Sequence, residues 1–219
     1  MKISKQTMSI LKNFASVNTN IVFKEGNKLA TISSGLHIFA TAEIEESFPK
    51  EFPVYDLNSL LGVLSIMEDD SELSFGDESL TIKTGRSLFE YYYSDPDVVD
   101  RPAKDNIDVV EYFSFDMSED RLAMIMKAAA ITAAPMFSII GDGKEVTLSV
   151  GDPSTPNSNS YKTVIGESDK IFKAHLAIEN LRVLSGDYKV IVTKQKFIHF
   201  INDALKVKYW IALDKTSEI

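Results

Sequence analysis

The strongest constraint on the fold of this 219-residue chain is a repeated change between two hydrophobic periods. In four segments, apolar residues recur at the 3.6-residue period of an amphipathic helix. The stretches between them alternate with the period of 2 that is typical of half-buried strands. We therefore predict an α+β fold in which one helix-and-strands unit is used four times, or a two-unit domain twice. The predicted helices cover residues 4–15, 57–67, 118–132 and, as a shorter segment, 177–184.

Each predicted helix has one apolar face, which we expect to pack against a sheet. Ser118 is the expected N-cap of the third helix, and the fourth is expected to stop before Gly186. The side chains predicted to face the core are Ile3, Thr7, Ile10, Leu11 and Phe14 in the first helix, Leu57, Leu60, Leu61 and Leu64 in the second, Leu122, Ile125, Met126 and Ala129 in the third, and Leu181 and Leu184 in the fourth.

The strand-like stretches are separated by turn-forming residues, such as Glu25-Gly26-Asn27 and Asp142-Gly143. Alternation is clearest near the end of the sequence, where every second residue from Leu205 to Leu213 is apolar. Other alternating sets are Leu73/Phe75, Leu80/Ile82, Val146/Leu148/Val150 and Tyr188/Val190/Val192.

A composition change near the middle of the chain predicts a domain boundary. Residues 94–111 contain two prolines and six acidic residues but little apolar pattern, which is typical of a solvated, extended connector. The predicted organisation is therefore a first domain at 1–93, a connector at 94–111 and a second domain at 112–219.

The net charge restricts the possible partners. The chain has 23 Lys and Arg residues against 32 Asp and Glu residues, a formal net charge of −9. A protein that grips DNA over its outer surface should be basic, because phosphate contacts supply most of the affinity. An acidic chain can bind DNA only if its cations are gathered on one surface. With no cysteine and no long apolar stretch, we expect a cytoplasmic protein without disulfides or membrane spans.

No pattern in the sequence predicts catalysis. His37, His175 and His199 each stand alone in strand-like runs, which favours structural roles over metal binding. Gly141-Asp142-Gly143-Lys144 is interpreted as a hairpin turn rather than a phosphate loop. Glu68-Asp69-Asp70 with Glu72 could bind a hard cation but fits a solvated turn better. Tyr91-Tyr92-Tyr93 is interpreted as half core and half surface, with base stacking as the alternative.

Basic residues are gathered on the first predicted helix. Lys5 and Lys12 lie opposite its apolar stripe, and the helix contains no acidic residue. The third helix places Lys127 opposite its core face, and the fourth exposes Arg182 beside Glu179. A surface of small polar side chains and a few cations attracts phosphates without reading base sequence.

Several segments of this chain resemble the sliding clamp, or DNA polymerase processivity factor, of T-even-type tailed bacteriophages. The similarity covers nearly the whole chain and is strongest over the first 95 or so residues. It rests on Met1-Lys2-Ile3-Ser4-Lys5, Leu11-Lys12-Asn13-Phe14-Ala15, Tyr55-Asp56-Leu57-Asn58, Leu61-Gly62, Leu64-Ser65, Asp69-Asp70, Arg86-Ser87 and Asp95-Pro96, and then on Lys127, Gly186, Tyr188-Lys189 and Ala212-Leu213.

The resemblance implies a DNA-clamp fold with two similar tandem domains, each with two helices and antiparallel sheets. It implies three subunits in a head-to-tail ring around double-stranded DNA, with no catalytic activity and no cofactor. The inner helices of that family carry Lys and Arg, which places Lys5, Lys12, Lys127 and Arg182 at the DNA-facing surface. Where the family has a second basic residue after Lys127, this chain has Ala130.

The resemblance also implies partners. These are a DNA polymerase that docks by a short C-terminal peptide, an ATP-dependent clamp loader that opens the ring, and late transcription factors. The expected location is the cytoplasm of the infected host cell. Two other classes remain open: a structural or scaffolding β-repeat protein of a virion, and a hydrolase that uses buried carboxylates.

Overall fold

The computed structural model describes residues 1–66, 71–155 and 157–219 of the protein. These residues form two compact units. The first comprises Met1–Asn106 with Ala204–Val207, and the second comprises Ile107–Asp203 with Lys208–Ile219. The division after Asn106 lies inside the acidic segment 94–111. No helix in the described part of the chain is long and apolar enough to cross a membrane.

The first unit combines two α-helices with short antiparallel strands. Its elements are α1 (Lys5–Val17), β1 (Ile21–Phe23), β2 (Gly26–Ile32), β3 (Ile38–Phe48), β4 (Phe52–Val54), α2 (Leu57–Ile66), β5 (Glu72–Phe75), β6 (Ser79–Thr84), β7 (Ser87–Tyr92) and a 3-10 turn at Pro96–Val98. β1 pairs with β4, β2 pairs with β3, and β5, β6 and β7 form a three-stranded sheet.

The core of the first unit lies between α1, α2 and the strands. α1 contacts α2, β2 and β3. Most of the predicted inward-facing side chains of both helices are confirmed, because Ile10, Leu11, Phe14, Leu57, Leu60 and Leu61 are all buried. Four phenylalanines, Phe23, Phe48, Phe52 and Phe75, fill the space beside them, with ring centroids 4.6 to 5.9 Å apart.

The second unit has one α-helix and eight strands among its described residues. Its elements are β8 (Glu111–Met117), α3 (Glu119–Thr132), β9 (Met136–Asp142), β10 (Glu145–Gly151), β11 (Tyr161–Glu167), β12 (Ile171–Ala177), a 3-10 turn at Ile178–Asn180, β13 (Tyr188–Thr193), β14 (Phe197–Asn202) and β15 (Val207–Ala212). One antiparallel sheet has the order β11-β10-β9-β12, and the remaining strands lie in the order β15-β14-β13-β8. α3 packs on β9 and β10.

The prediction of a fourth α-helix at 177–184 is wrong. Only Ile178–Asn180 forms a single 3-10 turn, and Leu181 leaves the helical region with ψ 60°. A segment this short forms too few helical hydrogen bonds to offset the unfavourable free energy of helix nucleation. It also has no side-chain cap. Its later N–H groups find other acceptors, since the Leu184 N–H donates to the Tyr209 hydroxyl.

Six side chains differ from their predicted burial or strand position. Ile3 and Leu184 are only half-buried, and Leu213 lies beyond the end of β15. Met126 is 40% exposed, because the buried stripe of α3 is narrow and Met126 lies on its flank. Leu64 is half-buried. β15 begins at Val207, so Leu205 lies in the preceding turn instead of the strand.

Other local predictions are confirmed. Ser118 caps α3, and a two-residue turn with Gly143 at φ +88° connects β9 to β10. His175 and His199 are buried and hydrogen-bonded. Within the tyrosine run, Tyr92 is exposed whereas Tyr93 packs on Phe52. Glu68, Asp69 and Asp70, the residues of the cation hypothesis, lie outside the described residues.

Candidate nucleic-acid interface

The exposed face of α1 is the most basic helical surface of the first unit. Ser4 starts the helix, with its hydroxyl oxygen accepting the Thr7 N–H at 3.2 Å. Lys5, Ser9, Lys12 and Ser16 are exposed. Their spacing of four, three and four residues places them along one line on the helix surface. The face therefore presents two ammonium groups and two hydroxyls without an acidic side chain.

α2 lies against α1 and adds an uncharged surface. Its exposed residues are Asn58, Ser59, Gly62, Ser65 and Ile66. The Asp56 carboxylate stands before the helix and accepts the Ser59 N–H at 3.0 Å, which satisfies one of the free N–H groups of the first turn. The helix pair thus offers small polar groups with Lys5 and Lys12 as its cations.

α3 in the second unit has a different exposed face. Asp120, Met124, Lys127 and Ile131 are exposed at the same spacing as the α1 residues. Met124 is 50% exposed and Ile131 is 85% exposed, so apolar groups flank Lys127. Ala130, the departure from the family pattern, is exposed as well. This face attracts phosphates less strongly than α1, because its one cation shares the surface with an acid.

Arg182 does not lie on a helix, which corrects its predicted setting. It follows the 3-10 turn, and its Nε–H donates to the Glu179 carbonyl at 2.8 Å. The guanidinium is exposed and held close to the backbone of an acidic residue. Of the four predicted DNA-facing residues, only Lys5 and Lys12 are brought together on one element.

The sequence did not reveal that Glu46 forms hydrogen bonds with the first turn of α1. This residue lies on β3 and is only 9% exposed. Its carboxylate accepts hydrogen bonds from the Ser4 N–H and from the Thr7 hydroxyl. Burial alone would raise the pKa of Glu46, but these hydrogen bonds outweigh it and hold the pKa below its ordinary value. One signal was available, since an acid at an inward position of an alternating strand needs a buried partner.

Two sheets each have one edge that is covered and one that is open. On β5, the Leu73 N–H donates to the Met1 carbonyl at 2.9 Å, and on β12, Lys173 and Glu218 exchange two backbone hydrogen bonds of 2.8 Å. Among the described residues, β7 and β11 have a strand neighbour on one side only. β7 exposes Leu88, Phe89 and Tyr92, and β11 exposes Val164.

The chain is similar to known proteins over most of its length. A family described as DNA polymerase processivity factor matches residues 3–99. A sliding clamp of Vibrio phage KVP40 is 29% identical over 98% of this chain and 99% of that protein. A sliding clamp of Enterobacteria phage T4 is 27% identical over 88% of this chain and 87% of that protein. The resemblance to T-even-type phage clamps is therefore confirmed.

Solved structures give the same fold at low sequence identity. One chain of a PCNA2–PCNA3 complex from Sulfolobus tokodaii superposes with a TM-score of 0.68 at 13% identity, covering 95% of each chain. At that identity the likeness bears on architecture alone. The predicted DNA-clamp fold is confirmed, with a 3-10 turn in place of the fourth helix.

Proposed function

We infer that this protein, which resembles T-even-type phage sliding clamps in sequence and has the DNA-clamp fold, is itself a sliding clamp and DNA polymerase processivity factor. The feature of this chain that best supports the inference is the distribution of its charged residues. In a chain with net charge −9, the exposed face of α1 holds Lys5 and Lys12 and no acid. Such a separation of charge suits a protein that admits DNA to one surface and repels it from the rest.

The proposed mechanism holds DNA by topology instead of contact energy. A closed ring releases duplex DNA only when an interface opens, so its lining needs to be only weakly attractive. Phosphates several ångströms from the lysines are screened over about 8 Å at physiological salt, which permits sliding. Lys5 and Lys12 supply most of this attraction in the proposal. Lys127 and Arg182 supply less, because Asp120 is exposed on the same face as Lys127 and Glu179 is exposed in the turn before Arg182.

Ring closure is proposed to use the open edges of β7 and β11. An exposed strand edge is a template for pairing with another chain. β7 and β11 lie in different units, so β7 of one subunit can pair with β11 of the next in a head-to-tail arrangement. Covered edges at β5 and β12 would limit pairing at the wrong strands. From the resemblance we propose a ring of three subunits.

The partners are proposals that rest on the resemblance. We propose that the ring binds a DNA polymerase, that an ATP-dependent clamp loader opens it, and that it supports late transcription in the cytoplasm of the infected host cell. In this function the chain needs no cofactor and performs no catalysis, because its role is to keep the polymerase on the template.

A charge-reversal experiment tests the lining. The double variant Lys5→Glu with Lys12→Glu should reduce loading and processive synthesis on primed circular DNA while leaving the native mass unchanged. The matched control is Lys83→Glu with Lys144→Glu, which changes the net charge equally at two exposed sites outside the helices. Normal processive synthesis by the α1 variant would refute the lining assignment.

Native mass separates the proposed ring from a virion scaffold. A trimer of 24.4 kDa subunits gives one discrete species at three times the subunit mass. Filaments or large shells would favour the scaffold instead.

A further inference from the structure

We propose that Glu46 is a positioning residue for DNA contact, which caps α1 from a neighbouring strand and thereby fixes where Lys5 and Lys12 stand. This inference rests on the proposed function of those two lysines. It assigns a role to a buried carboxylate that contacts neither DNA nor another subunit in the proposal.

The position of Glu46 is unusual for a charged residue. In β3 the inward-facing residues alternate with exposed ones, and Glu46 occupies an inward position between Ile44 and Phe48. A buried carboxylate is costly unless it is paired or hydrogen-bonded. None of the ion pairs among the described residues includes Glu46. Hydrogen bonds from the first turn of α1 offset the free-energy cost of burying this carboxylate.

Five groups at this helix start form a closed hydrogen-bond network. The Glu46 carboxylate accepts the Ser4 N–H through Oε1 and the Thr7 hydroxyl through Oε2, the latter at 2.5 Å. The Ser4 hydroxyl donates to Thr7 Oγ1 at 3.1 Å and accepts the Thr7 N–H at 3.2 Å. The carboxylate therefore binds both the N-cap residue and the residue three positions later.

The arrangement is a capping box divided between two elements. In an ordinary capping box, a Glu or Gln three residues after the N-cap reaches back to the N-cap N–H. Thr7 occupies that position here and cannot do so, and Glu46 on β3 accepts this N–H in its place. Because α1 has no acid in its first turn, Glu46 also supplies the negative charge that a helix N-terminus favours.

The capping network determines the placement of the lysines because Lys5 is the first residue of α1 and directly follows Ser4. Lys12 lies seven residues further, roughly 10 Å along the helix axis. The other end of α1 is held separately, since the Asn18 side chain donates to the Ile32 carbonyl at 2.8 Å. Loss of Glu46 should therefore loosen the first turn and displace Lys5 while the far end stays attached.

The test combines hydrogen exchange with the rate of DNA loading. Glu46→Ala removes the cap, Glu46→Gln keeps an acceptor without the charge, and Glu45→Ala is the matched control at an exposed neighbouring position. We expect the first-turn amides of α1 to exchange about fivefold faster in Glu46→Ala. The increase should be smaller in Glu46→Gln and absent in Glu45→Ala. The rate of loading onto primed circular DNA should fall in the same order at unchanged native mass.

A mutant cycle separates positioning from general stability. In a Lys5→Ala/Lys12→Ala background, Glu46→Ala should slow DNA loading no further, because the groups through which it acts are gone. Equal slowing of loading in both backgrounds would overturn the positioning role, as would unchanged hydrogen exchange and loading in Glu46→Ala. If the lysine variant alone loads at the normal rate, the proposed lining fails, whether or not Glu46→Ala speeds hydrogen exchange.

Discussion

His199 should make the stability of this protein depend on pH below about 6.5. It lies on β14, is 4% exposed, and stacks on Trp210 with ring centroids 4.3 Å apart. Burial lowers the pKa of His199 to about 4, although the hydrogen bond of Nδ1 with the Tyr209 carbonyl opposes the shift. The folded protein therefore holds His199 neutral near pH 7, with Nδ1 as the donor.

The sign and size of the effect follow from the two pKa values. In the unfolded chain His199 has the ordinary pKa of 6.5, so between pH 6.5 and about 4 the unfolded state binds a proton that the folded state does not. Stability is then fully present above pH 6.5 and falls as the pH is lowered through this window. The slope reaches about 1.4 kcal/mol per pH unit, and the whole window corresponds to about 3 kcal/mol.

Urea unfolding at fixed protein concentration, between pH 7 and pH 5, measures this slope. His199→Asn places an amide donor near the position of Nδ1 but does not titrate, so its unfolding free energy should fall less steeply than that of the wild type. His37→Asn, at an exposed histidine, is the control and should follow the wild-type curve. Parallel curves for His199→Asn and the wild type would refute the assignment of the pH dependence to His199.

Two further predictions concern packing and assembly. Gly141→Ala should lower the unfolding free energy by about 1–3 kcal/mol, because its Cβ would lie 2.5 Å from a backbone oxygen and 2.7 Å from an aromatic ring. Gly62 lies in α2, where an added Cβ would meet no heavy atom within 4 Å. Gly62→Ala should therefore raise the unfolding free energy by about 0.5–1 kcal/mol in the same assay. Phe89→Glu on β7 or Val164→Glu on β11 should convert the proposed trimer to monomers in native mass measurements. Ile171→Glu on the covered-edge strand β12 should leave it intact, and a trimer in all three variants would contradict the edge-pairing proposal.

The sequence alone predicts structural elements correctly where a local pattern is long and regular. The apolar stripe of α1 predicts both its core face and the opposite positions of Lys5 and Lys12. Ser118 predicts the start of α3 because an N-cap acts within one turn. These features depend on residues close together in sequence, so a single chain reveals them.

The misplaced elements depend on weak local signals. The 177–184 segment has only two predicted core residues, Leu181 and Leu184, and such a short apolar pattern does not distinguish a helix from an irregular loop. The prediction that Arg182 lies on the exposed face of a helix is therefore wrong, because that helix does not form. The prediction that Met126 faces the core is wrong for a different reason. The 3.6-residue period shows which side of α3 is apolar, but it does not show how far the buried surface extends around the helix.

The features that were not predicted depend on contacts distant in sequence. Glu46 is separated from Thr7 by 39 residues, so its capping role emerges only when β3 packs beside α1. Which strand edges stay open is equally non-local. β5 and β12 are covered because Met1 and Glu218 reach them, and no pattern within β7 or β11 distinguishes those strands from the covered ones.

Retention on DNA of different topology tests the central claim most directly. The loaded protein should remain on closed circular duplex DNA through a wash at high salt, since a ring does not depend on screened contacts. It should be released when a single double-strand cut linearises the same DNA. Equal retention before and after the cut, or loss from the closed circle at high salt, would contradict encirclement of the duplex.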